Sequence, residues 1–295
     1  MGLRRAGRRT DRGDVRADRR SRANARDAPP RPGRGQGQGV PDQGSGRGAQ
    51  GPRRGRPRLS VPAAASARSF TGRRQVGPAD VDAAGGAHPF AIARWLQEVA
   101  YADGLDSGFG AEAAWVIRRL RLEVARLPSF PEELELETWC SAKAKTVAER
   151  TTTIRGDGGA DVAATAIWVH IDPETRLPAR LPARFEAIYG PSTGGRRARA
   201  ALRHPPAPPA DAERSGWWFG RSQVDLAGHV SNLWYWQLAE EHLEMPTVGS
   251  GPLALEAEFR AGIGHGAAVV HRSGPMLWVA DAGGTVAATL AAPAP

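Results

Sequence analysis

Asp225 and His229 stand four residues apart in RSQVDLAGHVSNLWYWQLAEEHL, residues 221–243, directly ahead of a helical run. A carboxylate and an imidazole so placed could act as general base or nucleophile and as a positioner of water or of developing charge. Between them, Gly228 has no Cβ and lets a substrate backbone come close. Ala227 adds room but offers no side-chain hydrogen bond. If the helix begins within residues 228–231, its leading N–H groups and positive dipole end can polarise a carbonyl oxygen. Val230 and Asn232 complete the candidate substrate-binding set with Gly228, and Asn232 could hold Asp225 or a substrate amide. On spacing alone, an Asp that only caps the helix and a His that only opens it would look the same. Leu233, Trp234, Tyr235, Trp236 and Leu238 have the helical spacing of core or tunnel lining.

Other constellations are weaker. Residues 190–194, GPSTG, match the G-x-S-x-G nucleophile elbow, but that elbow needs a strand-to-helix turn in a parallel sheet, which this chain's pattern does not offer. The seven His residues lack metal-ligand spacing, and there is no phosphate-binding Gly loop or dinucleotide fingerprint. Neither a metal nor a cofactor is expected. Cys140 is alone, which excludes a disulfide framework and a Cys-based metal site.

The elements that must position these residues follow from composition and period. Residues 1–66 hold 17 of the 40 basic and 5 of the 31 acidic residues, so this segment carries +12 and the remainder −3. Rich in Gly, Pro, Arg and Gln, it has too few apolar residues to offset ordering entropy, and reads as a disordered tail. Arg and Gly runs can serve as an RNA-binding arm, but a non-essential or over-translated extension is the preferred reading, so nucleic acid is not expected as a partner. Only Lys143 and Lys145 are Lys among the 40 basic residues, a bias typical of GC-rich genes. No apolar run approaches the ~18 residues of a membrane span, so a soluble, cytoplasmic protein is expected.

The ordered region starts near Arg68 with a strand and a turn. HPFAIARWLQEVAYADG predicts a helix, with Pro89 in its first turn, Ile92, Leu96, Val99 and Ala100 on one face, and Asp103-Gly104 as its stop. The period then changes to two: Val116, Leu120, Leu122 and Val124 share one strand face, as do Leu134, Leu136, Thr138 and Cys140. A hairpin turns at Asp157-Gly158. After a Pro- and Arg-rich break, the order strand, turn, helix, strands recurs. VDAAGG (81–86) matches VDLAGH (224–229), and LEVARL (122–127) matches LEAEFR (255–260). The expected fold is α+β, a duplicated helix-plus-antiparallel-sheet unit. Its parts are the tail 1–66, a first unit 67–189, a linker 190–214 that few contacts cross, and a second unit 215–295 carrying the candidate site.

From about Arg68 to the C-terminus the chain resembles the acyl-[acyl carrier protein] thioesterases. The stretches AWVIRRLRLEVARLPSFPEELELETWCSAKAKTVAERTTTI and RSQVDLAGHVSNLWYWQLAEE carry the likeness. The resemblance implies two tandem hotdog units, each a long helix wrapped by an antiparallel sheet. It also implies hydrolysis of fatty acyl-[acyl carrier protein] thioesters to free fatty acid and carrier thiol, within fatty acid biosynthesis. An acyl-CoA thioesterase, or a non-catalytic acyl-thioester-binding protein on the same fold, are the alternatives. The family's second-half motif places Asp, Asn and His at alternate positions. Asp225, Ala227 and His229 occupy them here, so Asp and His match and Asn does not. The family's Glu on the strand after the helix, next to a Cys in plant members, aligns with Gly262 and Ile263. The first half carries Asp82 but Gly86 where the His would be, so its helix is expected to line the acyl tunnel. Arg118, Arg119, Arg121, Arg196, Arg197, Arg199 and Arg203 are candidates for a basic surface facing the carrier protein or the phosphates of coenzyme A. A homodimer is left open.

Overall fold

The computed structural model describes residues 67–109, 114–243 and 251–292; the expected tail, 1–66, lies outside the described residues. The strands are β1 (Phe70–Gln75), β2 (Ala114–Arg126), β3 (Glu133–Lys143), β4 (Val147–Gly156), β5 (Asp161–Ile171), β6 (Glu213–Phe219), β7 (Leu253–Phe259), β8 (Gly266–Ser273), β9 (Met276–Asp281) and β10 (Val286–Ala291). The helices are α1 (Pro89–Asp106), α2 (Ala183–Tyr189) and α3 (Tyr235–His242). All ten strands form one antiparallel sheet in the order β1-β3-β4-β5-β2-β7-β10-β9-β8-β6. Read from either edge inward, the two halves have the same order: first strand, third, fourth, fifth, second. They join where β2 pairs with β7, and Leu122 faces Leu255 there, the two leucines that open the matching LEVARL and LEAEFR segments.

One apolar core runs through both halves. The inward residues of β2 and β7, Leu120, Leu122, Leu255 and Ala257, meet Ile92, Trp95 and Leu96 of α1 and Trp236 and Leu238 of α3. Three side-chain contacts tie the two helical segments together. Gln97 donates to Asn232 Oδ1 at 2.6 Å, His88 Nδ1 lies 2.7 Å from Glu240 Oε1, and Phe90 stacks on Trp234.

Local differences from the sequence expectations have physical causes. In α1, Pro89 opens the helix as expected, yet the helix continues past Asp103-Gly104 to Asp106. Asp103 is 1% exposed and ion-pairs with Arg68 and Arg150, which offsets the roughly 1 kcal/mol that a mid-helix Gly costs. In β2, a bulge between Ile117 and Arg119 shifts the side-chain phase, so Ile117 is buried and Val116 is 40% exposed; an extra residue flips alternation on one side of a bulge. The β4–β5 hairpin turns after Gly156, with Gly159 at φ +97°. The second helix is much shorter than the first. A 3-10 turn, Asn232–Trp234, precedes the eight residues of α3.

The linker is held more tightly than a break with few contacts. Arg197 bridges to Lys143, and Ala198 is buried against Ala142, Val147 and Ile167. Arg119 then donates to Ala201 O. The carboxylate of Glu258, 0% exposed, accepts from the Arg203 and His204 amides and from Arg260. Trp278 Nε1 donates to Pro205 O. The segment is therefore a strap across the outer face of the sheet. Its length follows from topology: the chain must travel from β5 and α2 in the first half to β6 at the far edge. Among the described residues, no helix is long and apolar enough to cross a membrane.

Candidate active site

The turn VDLAGH is built by Asp225 itself. Its Oδ1 accepts from Ala227 N at 2.9 Å and His229 N at 3.4 Å. Its backbone N–H donates to His229 O, and its carbonyl accepts from Gly228 N. Gly228 sits at φ +79°, a left-handed conformation that glycine adopts without a Cβ penalty. VDAAGG makes the same turn in the first half. Asp82 Oδ1 accepts from Ala84 N and Gly86 N, both at 2.9 Å, the backbone bonds are the same, and Gly85 stands at φ +83°. Thus the repeated V-D-x-A-G has a folding reason, an Asx-type turn, in both halves. What distinguishes the second is His229.

The half-buried His229 ring lies over Gly262, which follows β7. A Cβ on Gly262 would fall 2.5 Å from the His229 Cγ and Nδ1. The imidazole occupies the room that a side chain at position 262 would need. Asp225 is exposed, and its carboxylate meets His229 through the backbone N–H. Its charge also reaches Tyr235, whose buried hydroxyl is pushed well above the usual phenol range, first by burial and then by the Asp225 carboxylate. In the sequence Tyr235 has the spacing of core or tunnel lining, and its place one turn after Asn232 carries no signal of its nearness to Asp225.

Two expectations are corrected. The helix does not start within residues 228–231, and the amides there are occupied. Gly228 N donates to Asp225 O, His229 N to Asp225 Oδ1, Val230 N to Ile263 O and Ser231 N to Gln223 O. Those N–H groups cannot polarise a substrate carbonyl without breaking the turn. Asn232, the first residue of the 3-10 turn, does not hold Asp225; its Oδ1 is taken by Gln97 from α1. Val230 is buried in the core.

Gln97 links this loop to a cavity. An apolar space of about 250 Å³ lies in the first half, walled by Gln97, Ala100 and Gly104 of α1, by Trp168, and by Phe185 and Tyr189 of α2. Cys140 also lines it, and burial pushes its thiol up to about 11. Arg150 lines it too, held by Asp103 and stacked over Tyr189. The first helix thus walls a cavity, and Gln97 joins that wall to Asn232.

Comparison with known proteins agrees with this arrangement. Residues 68–189 match the family described as Acyl-ACP thioesterase N-terminal domain. That stretch is similar to the N-terminal domain of the acyl-ACP thioesterases. An uncharacterised protein of Mycobacterium tuberculosis is 26% identical over 181 residues, 59% of this chain and 70% of that one. The chloroplastic oleoyl-acyl carrier protein thioesterase 2 of Arabidopsis thaliana is 27% identical over 104 residues, 30% of this chain and 28% of the plant protein. Among solved structures, the 12:0-ACP thioesterase of Umbellularia californica superposes with a TM-score of 0.62 at 20% identity, covering 76% of this chain and 96% of that one. An acyl-ACP thioesterase of Bacteroides thetaiotaomicron gives 0.62 at 17% identity, with the same coverages. These two likenesses establish the fold.

Of the expected basic surface, the β2 arginines are engaged within the chain. Arg118 donates to Arg260 O, Arg119 to Ala201 O of the strap, and Arg121 pairs with Glu123.

Proposed function

We propose that the chain is a double-hotdog thioesterase that hydrolyses fatty acyl-[acyl carrier protein] thioesters, its two units being 67–189 and 215–295 joined by 190–214. The observation that carries this reading is the adjacency, through the Gln97–Asn232 bond, of an apolar cavity to a loop bearing an exposed carboxylate and an imidazole. The acyl chain fills the cavity of the first half, and the thioester lies at the loop of the second. The free Oδ2 of Asp225 is the general base or nucleophile, and the His229 ring orients water or stabilises the charge that develops on the carbonyl oxygen. Because the amides of 228–231 are spent on the turn and that of Trp234 on Ser231 O, the carbonyl is polarised instead by the Asn232 and Leu233 amides, where the first helical turn begins. Gly228 keeps the approach open. Coenzyme A thioesters offer the same acyl chain and thioester, and relative rates on the two carriers decide between them.

The duplicated turn supplies the test. Asp82→Ala and Asp225→Ala each remove the acceptor of two backbone N–H groups, so both cost about 1–2 kcal/mol of stability. Only Asp225→Ala is expected to lower thiol release by orders of magnitude. Equal activity of the two variants would reduce Asp225 to a turn residue and leave a protein that binds acyl thioesters without turning them over.

A further inference from the structure

A second concavity has the opposite character to the acyl cavity. Near the start of the strap, a crevice of about 450 Å³ is lined by Lys143, Lys145, Arg180, Arg196 and Arg197, with Glu186 as its acidic member. Glu186 pairs with Lys143. The Arg196 guanidinium is pinned by carbonyls, its Nε donating to Ser141 O at 2.7 Å and a second nitrogen to Ser192 O at 3.3 Å. Lys145, Arg180 and Arg197 are exposed and make no ion pair among the described residues. The crevice therefore holds four uncompensated cations around one hollow. Gathering like charges raises the energy of the empty site, and that energy is recovered when an anion enters.

Two further observations separate this crevice from an ordinary solvated basic face. First, its walls are three chain segments tied by backbone bonds: Lys143 N donates to Arg196 O, Ala198 N to Lys143 O, and Leu181 N to Lys145 O. The cations are set on a preformed frame, which lowers the ordering cost of binding. Second, Lys143 and Lys145 are the two lysines of the chain, beside 38 arginines. A compact ammonium is a point-charge phosphate binder and the guanidinium is a planar fork, so the crevice combines both kinds of donor. Its volume lies within the range of about 300–1,000 Å³ common for small-molecule sites, and it offers no aromatic ring for a base to stack on.

We propose that this crevice is a binding site for a small ligand carrying a diphosphate group, separate from the acyl cavity. The two are lined by different faces of α2: Phe185 and Tyr189 line the cavity, and Glu186 lines the crevice. Because the acyl cavity extends from Gln97 toward Phe185 and Tyr189, the crevice lies beyond the end away from Asn232. The proposal does not depend on thioester hydrolysis, and binding alone tests it.

Titration calorimetry on the full chain with inorganic pyrophosphate is expected to show saturable one-to-one binding. Lys145→Ala/Arg197→Ala should weaken it at least tenfold; both side chains are exposed and unpaired, so folding is retained. Arg73→Ala/Arg214→Ala, which removes the same charge from the exposed faces of the edge strands β1 and β6, should leave it unchanged. Inorganic phosphate should bind at least tenfold more weakly than pyrophosphate. ADP and coenzyme A separate the sources: binding of either at the affinity of pyrophosphate, lost in Lys145→Ala/Arg197→Ala, assigns the site to a nucleotide diphosphate. Binding by pyrophosphate alone assigns it to the inorganic ion. Equal affinity in the crevice and control variants, or binding confined to an acidic carrier protein with none to any diphosphate, would overturn the proposal.

Discussion

The contact between Gly262 and His229 allows the role of the imidazole to be tested without touching the imidazole. In Gly262→Ala the new Cβ would sit 2.5 Å from the ring Cγ and Nδ1 and 2.7 Å from Cδ2. Carbon contacts settle at about 3.5–4.0 Å, so the ring must move by about 1 Å. The clashing atoms are the ring itself rather than the end of a flexible chain, and the half-buried ring can swing toward solvent. The stability cost should therefore stay at the low end of overpacking, about 1 kcal/mol. A catalytic group displaced by about 1 Å loses roughly 100-fold in rate, equivalent to about 2.7 kcal/mol of transition-state stabilisation. The assay is steady-state thiol release from octanoyl thioesters of both carriers, with urea unfolding of the same preparations. We expect kcat to fall about 100-fold, the urea midpoint to move little, and His229→Ala to fall at least as far. If Gly262→Ala keeps wild-type turnover while His229→Ala loses it, the position of the ring is not what matters. If both keep turnover, His229 only closes the turn and packs on Gly262.

Three other outcomes follow from the packing. Taking a methylene as about the size of a water, ~30 Å³, the 250 Å³ cavity holds roughly eight carbons; rates across a chain-length series should peak near there, and Ala100→Leu should move the peak about three carbons shorter, while an unchanged profile would remove the cavity from the substrate path. Glu258→Gln leaves Arg260 buried without its carboxylate and weakens the grip on the strap at Arg203 and His204; breaking a buried pair costs about 3–5 kcal/mol, read from urea unfolding, and a loss below 1 kcal/mol would refute the strap's role. Burial raises the Cys140 thiol to about 11, so between the ordinary thiol value and 11 the unfolded chain gives up the proton that the folded chain keeps. Stability from this group is present at neutral pH and falls by about 1.4 kcal/mol per pH unit across that window; Cys140→Ala should abolish this part of the alkaline loss, and identical pH profiles would contradict it.

Much of this protein was legible in one dimension because local periodicity and turn chemistry are local physics. Alternation at Leu134, Leu136, Thr138 and Cys140, the Pro89 helix start, and the two V-D-x-A-G turns each depend on neighbours within a few residues. Their recurrence announced a duplicated unit, and the sheet realises it as two halves with one strand order. The turn at Asp225 was legible as well, although its dual identity was not: only the identical bonding of Asp82 reveals how much of that motif serves folding. Contacts between distant residues had no such signature. That Gln97 takes Asn232, that His229 rests on Gly262, that Glu258 clamps the strap, and that Ile263 O takes the Val230 amide depend on segments tens to more than a hundred residues apart. The bulge at Ile117 belongs with them, since one extra residue in β2 is set by pairing with β5 and leaves no mark in the alternation itself. The sequence by itself determined the elements, the duplication and the types of the reactive residues. Tertiary structure alone decided which polar groups remain free to act, because a donor or acceptor is available only after every closer partner has been satisfied.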